Sequence, residues 1–321
     1  MALPDFTRGL HDIGNGHFAF LQPDGGWGWN TTGLITDGDQ TLLVDTMYDE
    51  RLTGEMLDEV RRKLGITAQD IDRVVNTHAN GDHTYGNRCV CHAEIITSRA
   101  SADEFDALTP ATMLGIMAHA TGEGLSAKFL RHAFGPFDFA GVQLTGPTLT
   151  FSGQLDLKVG DKPVTILEVG PAHTQGDILV HSPTDKVVYT GDILFIDSTP
   201  IIWAGPVSNW VKAIDWILDN PDIDIVVPGH GPVCDKERAR ELRGYLVYID
   251  AEARKRYDAG MSPVDACFDI ALSDYASWGD AERIVLNVDS LYKGYSGQPT
   301  GTGLMELVEL MARIRHDLGR L

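Results

Sequence analysis

A chain of 321 residues, 43% hydrophobic and 22% charged, is long enough to bury a sizeable core without covalent staples. Its 26 basic and 46 acidic residues leave a formal net charge of -20. That balance disfavours both phosphate-backbone binding and anionic membrane surfaces, so the expected partner is a small molecule rather than nucleic acid or membrane. Cys89, Cys91, Cys234 and Cys267 have no disulfide-framework spacing. The first residues lack a basic segment followed by an apolar one, and no apolar run is long enough to cross a bilayer. A cytoplasmic location is expected.

Residues 17–46 read as a β-meander. The segments HFAFLQ, GLIT and TLLVDT alternate or run apolar, with a turn at Asp37-Gly38 between the last two. Leu52, Met56, Val60 and Leu64 recur every four residues and predict an amphipathic helix over 50–64. A short strand at 73–77 leads into the polar run 78–87, and 94–98 is another short strand. Residues 101–134 read as helical, either a lid over a pocket or a packing insert. Strand signals return over 139–169, at 178–182 and at 186–190. A helix over 208–219 carries Trp210, Ile214, Ile217 and Leu218 on one face, and a strand at 223–227 follows. From 236 the pattern is helical, with helices near Leu242–Ile249, 263–272, 281–292 and 304–318. Strands followed by helices, twice over, predict an α/β fold of two packed sheets with helices outside.

The chemistry is concentrated in residues that each follow an apolar strand. His78 and His83 follow RVVNT, His173 follows TILEVGPA, Asp192 follows KVVYTG and His230 follows DIVVPG. Loops at strand ends are where a rigid scaffold displays functional groups. Imidazole nitrogen and carboxylate oxygen are the usual non-thiolate ligands of zinc. A single histidine would be weak evidence, but the run His78-x-Asn80-x-Asp82-His83 with three further donors at strand ends is strong.

The segment Thr77-His78-Ala79-Asn80-Gly81-Asp82-His83 resembles the H-x-H-x-D-H signature of the metallo-β-lactamase superfamily. Gly170-Pro171-Ala172-His173-Thr174, Tyr189-Thr190-Gly191-Asp192 and Pro228-Gly229-His230-Gly231 match its later elements in order, and Asp45 in LLVDT matches an element that orients the metal loop. The resemblance covers roughly residues 15–235. It implies an αββα sandwich as catalytic domain (1–235), with 236–321 a C-terminal helical extension packed on it. It also implies a first metal on His78, Asn80 and His173, a second on Asp82, His83 and His230, and Asp192 between them. The implied reaction is attack of a metal-bound hydroxide on an acyl, phosphoryl or sulfuryl centre, with Asp82 steering the water.

Asn80 departs from the signature, which has histidine there. A neutral amide oxygen is a weaker zinc ligand than imidazole. Three readings follow: Asn80 ligates and two zinc ions bind; one zinc binds at Asp82, His83, Asp192 and His230; or the site has left hydrolysis. Iron and manganese are also compatible with such donors. For substrate contacts, Trp27 and Trp29 in a Gly-rich tip and Trp203 in a later loop are candidates, and Tyr85 is a candidate oxyanion donor. The expected activity is hydrolysis of a small, partly apolar ester, lactone or thioester. The alternatives are β-lactamase or sulfatase activity on the same site, and an iron-containing oxygen-active protein, against which Asn80 in place of a carboxylate counts. The run 283–292 is expected to pack on the catalytic domain, with closing the pocket or building a homodimer face as the alternatives.

Overall fold

The computed structural model describes residues 3–321. The first sheet has seven strands in sequence order: β1 (Gly9–Gly14), β2 (His17–Leu21), β3 (Thr32–Asp37), β4 (Gln40–Val44), β5 (Arg73–Val75), β6 (Glu94–Ser98) and β7 (Leu149–Phe151). Pairing is antiparallel through β4 and parallel from β4 to β7. The second sheet holds β8 (Gln154–Val159), β9 (Lys162–Glu168), β10 (Ile178–Ser182), β11 (Val187–Tyr189) and β12 (Ile225–Val227). Here only the β11–β12 pair is parallel.

Alternation along the central strands sorts side chains into separate layers. Leu42 and Val44, Val75 and Ile96 point into an apolar cluster between the sheets, where they meet Ile166, Ile178, Val180, Val187 and Val227. Their neighbours Leu43, Val74 and Ile95 point the other way. That outer face is covered by helix α1 (Glu50–Leu64), through buried Leu52, Met56 and Val60. Both faces of these strands are therefore buried, which is why they read as continuous apolar runs. The sheets approach closely at Gly33, where a β-carbon would overlap the Tyr189 ring.

Between β5 and β6 lies the one-turn helix α2 (Gly81–Thr84). The predicted helical stretch after β6 is three helices, α3 (Arg99–Glu104), α4 (Pro110–Met117) and α5 (Leu125–Phe134). Phe129 and Leu130 of α5 are fully buried, so this helix packs, whereas α4 leaves Leu114 exposed. The outer face of the second sheet is covered by α6 (Val207–Asp219), and four later helices pack against it and one another: α7 (Lys236–Asp258), α8 (Pro263–Asp269), α9 (Ile284–Ser296) and α10 (Leu304–Asp317). Trp210, Ile214 and Ile217 of α6 share one cluster with Leu242, Leu246 and Ile249 of α7 and with Val288 of α9. The layers are thus helix, sheet, sheet, helix, as expected. Three details differ. The meander begins earlier, at β1; the strand signals expected from 139 onward yield no strand before β7; and the strand expected over 73–77 ends at Val75, after which the Asn76 side chain donates to the His83 carbonyl at 2.9 Å.

Candidate metal centre

Every one of the strand-end residues reaches one edge of the sandwich. His78 follows β5, Asp82 and His83 sit in α2, His173 lies between β9 and β10, Asp192 follows β11 and His230 follows β12. Parallel pairing of β11 with β12 puts their C-terminal ends side by side. Glycine permits the close approach: a β-carbon on Gly229 would overlap an Asp192 carboxylate oxygen.

Each imidazole is oriented by an acceptor on its Nδ1 side. His83 donates to Asp45 Oδ2 (2.8 Å), His173 to the Ile201 carbonyl (2.7 Å) and His230 to the Gly25 carbonyl (3.1 Å). Thr77 gives its hydroxyl proton to Asp45 (2.8 Å), so its oxygen accepts from His78 Nδ1 at 3.1 Å. These partners accept and leave the proton on Nδ1, which turns four Nε2 lone pairs inward. His78, His83, His173 and His230 are all buried.

At the centre lies Asp192. Its carboxylate is 3.1 Å from His83 Nε2, 3.2 Å from His173 Nε2, 3.6 Å from His230 Nε2 and 3.7 Å from His78 Nε2. Asp82 is 3.2 Å from His230 Nε2. A lone pair facing a carboxylate is an acceptor facing an acceptor, so a positive charge belongs between them. Consistent with this, His78 Nε2, His83 Nε2 and Asp192 Oδ1 are buried and find no hydrogen-bond partner. His78, His83 and Asp192 bring donor atoms within 4.8 Å of one another, and so do Asp82, His83 and His230. The donor set fits a divalent cation.

Without a cation, the imidazoles and carboxylates offset one another's charge. Burial opposes ionisation of Asp192, but His230, His83, His173 and His78 outweigh it and hold the carboxyl well below its ordinary range. Burial likewise opposes ionisation of Asp82; the proximity of His83 and His230 brings it down to about 2. Burial disfavours a charged His83, yet Asp192, Asp45 and Asp82 push it well up. Burial lowers His78 and His173.

Asn80 stands beside this cluster, with its amide nitrogen 3.1 Å from His173 Nε2. Tyr85 does not: it is 1% exposed, its hydroxyl donates to the Leu108 carbonyl at 2.9 Å, and its ring packs beneath Gly81. The expectation of an oxyanion donor at Tyr85 is therefore corrected, because a buried hydroxyl takes the backbone acceptor within reach. The expected substrate contact at Trp27 is corrected too. Trp27 is buried, stacks edge-on against Phe129 and Phe134, and donates its indole proton to Glu282 at 2.8 Å. Trp29 is half-buried against Phe137, with ring centroids 4.9 Å apart. Trp203 alone of the three is exposed, at 49%, and its backbone donates to the His173 carbonyl. Cys234 is buried, its backbone paired with Val226, and burial pushes its thiol up.

Two supporting groups lie outside the sequence-based expectations. Asp177 accepts from the Thr174 backbone (2.9 Å) and hydroxyl (2.8 Å), closing the turn that carries His173; burial raises its carboxyl to about 7. The Thr-x-x-Asp spacing is the signal that would have found it. Phe195 lies parallel to the His230 ring, centroids 5.0 Å apart. An apolar residue carries no such signal in sequence.

Fold and site together define a metallo-hydrolase. The chain belongs to the metallo-β-lactamase superfamily, whose family profile matches residues 25–230. It is 25% identical over 223 residues to an acyl-coenzyme A thioesterase, MBLAC2, of Bos taurus, covering 65% of this chain and 75% of that protein. It is 27% identical to a metallo-beta-lactamase type 2 of Bacillus sp. (strain 170), covering 64% and 68%. Among solved structures, the inverting sec-alkylsulfatase Pisa1 from Pseudomonas sp. superposes with a TM-score of 0.68 at 14% identity, over 92% of this chain. This chain spans about half (51%) of that sulfatase. A metallo-beta-lactamase from Pontibacter korlensis superposes with a TM-score of 0.54 at 17% identity, over 74% of this chain and 98% of its own.

Proposed function

We propose that this protein is a zinc-dependent hydrolase of a small, partly apolar ester, lactone or thioester. The observation that carries the reading is the set of four inward Nε2 lone pairs around Asp192 and Asp82, each imidazole fixed from behind. His83, His230, Asp82 and Asp192 would hold one ion; His78, His173 and Asp192 would hold a second, with Asn80 as its weak member. The chemistry a divalent cation supplies there is Lewis acidity toward an acyl oxygen and acidification of water to a pKa of about 7.

The side chains have separable tasks. Asp45 and Thr77 orient His83 and His78. Asp192 balances the positive charge of the whole cluster. Asp82 is more open than Asp192, with 15% against 3% side-chain exposure. A carboxyl held near 2 is a poor proton store at neutral pH, so Asp82 acts by accepting a hydrogen bond from water and aiming it. Trp203 offers an exposed apolar face on the loop beside His173 for the acyl part of a substrate. The similarity to an acyl-coenzyme A thioesterase supports the thioester member of this class.

The test is a panel of short acyl thioesters, lactones and aryl esters with zinc-loaded protein. Turnover is expected on at least one, and is expected to vanish in Asp192→Ala and His230→Ala. Retained turnover in either variant would sink the mechanism. Sulfate esters and β-lactams belong on the panel. The alkylsulfatase superposition reaches over 92% of the chain, beyond the 74% of the β-lactamase, which supports the sulfate ester as second reading. Hydrolysis of sulfate esters alone would replace the acyl assignment.

A further inference from the structure

The His230 ring has two contacts outside the cluster of donors: the Gly25 carbonyl on its Nδ1 and the Phe195 ring on its face. The His230 carbonyl also accepts from the Ile196 backbone at 3.0 Å. One group of buried charges, contributed by residues 280–315 beyond the segment that matches the family profile, lies against Phe195 and against Trp27, two residues past Gly25. Arg283 is 1% exposed. Its guanidinium carbon lies 4.5 Å from the centroid of Trp27 and 5.6 Å from that of Phe195. It donates to the Thr199 carbonyl at 2.8 Å and to the Ser198 hydroxyl at 3.2 Å, and forms an ion pair with Asp280 Oδ2 at 3.1 Å. Glu282, fully buried, accepts from the Trp27 indole at 2.8 Å and from Arg315 at 2.8 Å. Trp27 is thus gripped on its face by one charge and at its edge by another. It lies two residues past Gly25, whose carbonyl holds His230.

Stability alone is a weak reason for such a group. Two positive and two negative side chains have been taken out of water, which costs several kcal/mol per ion before pairing offsets it, and apolar residues of equal volume often serve as well. The group does leave Arg283 Nε and Glu282 Oε2 without partners. What it achieves geometrically is to fix Trp27 and Phe195, and through them the plane of the His230 ring.

We propose that Arg283 and Glu282 are positioning residues for His230, so that the turn Ala281–Arg283 before α9, braced by Arg315 of α10, supports the metal centre. The inference rests on His230 being a metal ligand. A ligand's supporting partners set its ring orientation, and their loss typically weakens metal binding about 10- to 100-fold.

The test is titration of metal-free protein with zinc alone against a chelator, with circular dichroism and melting of the metal-free form in parallel. The variant is the double substitution Asp280→Asn with Arg283→Met. It removes one charge of each sign, leaves Glu282 with Arg315, and suits the left-handed φ of 53° at position 280, which asparagine tolerates. The expected result is a folded protein whose metal-free melting stays near that of the parent, and in which one zinc-binding step is weakened at least tenfold. That step is the one lost in His230→Ala. An unchanged zinc titration in the folded double variant overturns the positioning role while leaving the metal reading intact. An unchanged titration in His230→Ala overturns the metal reading itself. If the double variant does not fold, Trp27→Phe carries the test, since it removes the indole N–H taken by Glu282 while keeping an aromatic ring beneath Arg283. A loss of threefold or more in the same step is then expected, and no change overturns the proposal.

Discussion

Asp45 shows how a site of this kind is held from behind. Its carboxylate accepts from the Thr77 backbone at 2.7 Å, the Thr77 hydroxyl at 2.8 Å and His83 Nδ1 at 2.8 Å. Its backbone has φ 64°, in the left-handed region that asparagine also tolerates. Asp45→Asn therefore tests the charge without straining the chain. Zinc affinity is expected to fall about 10- to 100-fold, measured by chelator competition, because His83 loses its anionic partner. At position 80 the expected change is in the other direction. Asn80→His adds an imidazole beside His173, and the zinc bound per chain is expected to rise by elemental analysis. Unchanged stoichiometry would mean that the half of the site around His78 and His173 is already filled.

The elements that carry the site are short and depend on ties between the sheets. His17 on β2 is one such tie. Its Nε2 lies 3.1 Å from Asp185 Oδ2, its Nδ1 is 3.3 Å from the Tyr189 hydroxyl, and Lys162 reaches the same Asp185 at 2.9 Å. Burial lowers the imidazole below its usual 6.5, more than Asp185 raises it. The folded state therefore favours neutral His17. Above pH 6.5 it is neutral whether folded or not and makes no pH-dependent difference; as pH falls below 6.5 the unfolded chain takes the proton first and stability declines. His17→Gln is expected to flatten the loss of melting temperature of metal-free protein just below pH 6.5. An unaltered slope would show that the tie does not titrate there. Helix α1 is set by local chemistry instead: Asp49 caps its first turn by accepting from Leu52 at 2.6 Å, and Gly65 ends it with φ 77°.

Across the whole molecule, metal and fold are linked. Burying two carboxylates among four imidazoles leaves like groups facing one another unless a cation lies between them. Binding to the folded state alone stabilises it, by about 2.7 kcal/mol at a hundredfold excess over the dissociation constant. Removal of zinc by a chelator is expected to lower the melting temperature by several degrees, and readdition to restore it. Equal melting with and without zinc would count against the proposed centre. Helices α7–α10 belong to this linkage, because they share an apolar cluster with α6 and the second sheet. Among the described residues, no helix is long and apolar enough to cross a membrane.

Much of this architecture is legible in the chain itself. The continuous apolar run of β4 and the four-residue spacing of Leu52, Met56 and Val60 are local, and local sequence specifies them. The donors His78, Asp82, His83, His173, Asp192 and His230 are legible as a set, because each follows an apolar strand and the strand ends of both sheets meet at one edge of the sandwich. What the sequence does not contain is the partner of each ring. Gly25 and His230, Ile201 and His173, Asp45 and His83 are joined only through space, by backbone carbonyls or side chains far apart along the chain. The same is true of Trp27, which has the composition of an exposed clamp yet is buried because Glu282 and Arg283, some 255 residues later, fold over it. Residue types and periodicity determined the layers and the identity of the donors, since both depend on near neighbours. Tertiary packing alone decided which way each donor faces, since orientation depends on acceptors that the fold brings from elsewhere.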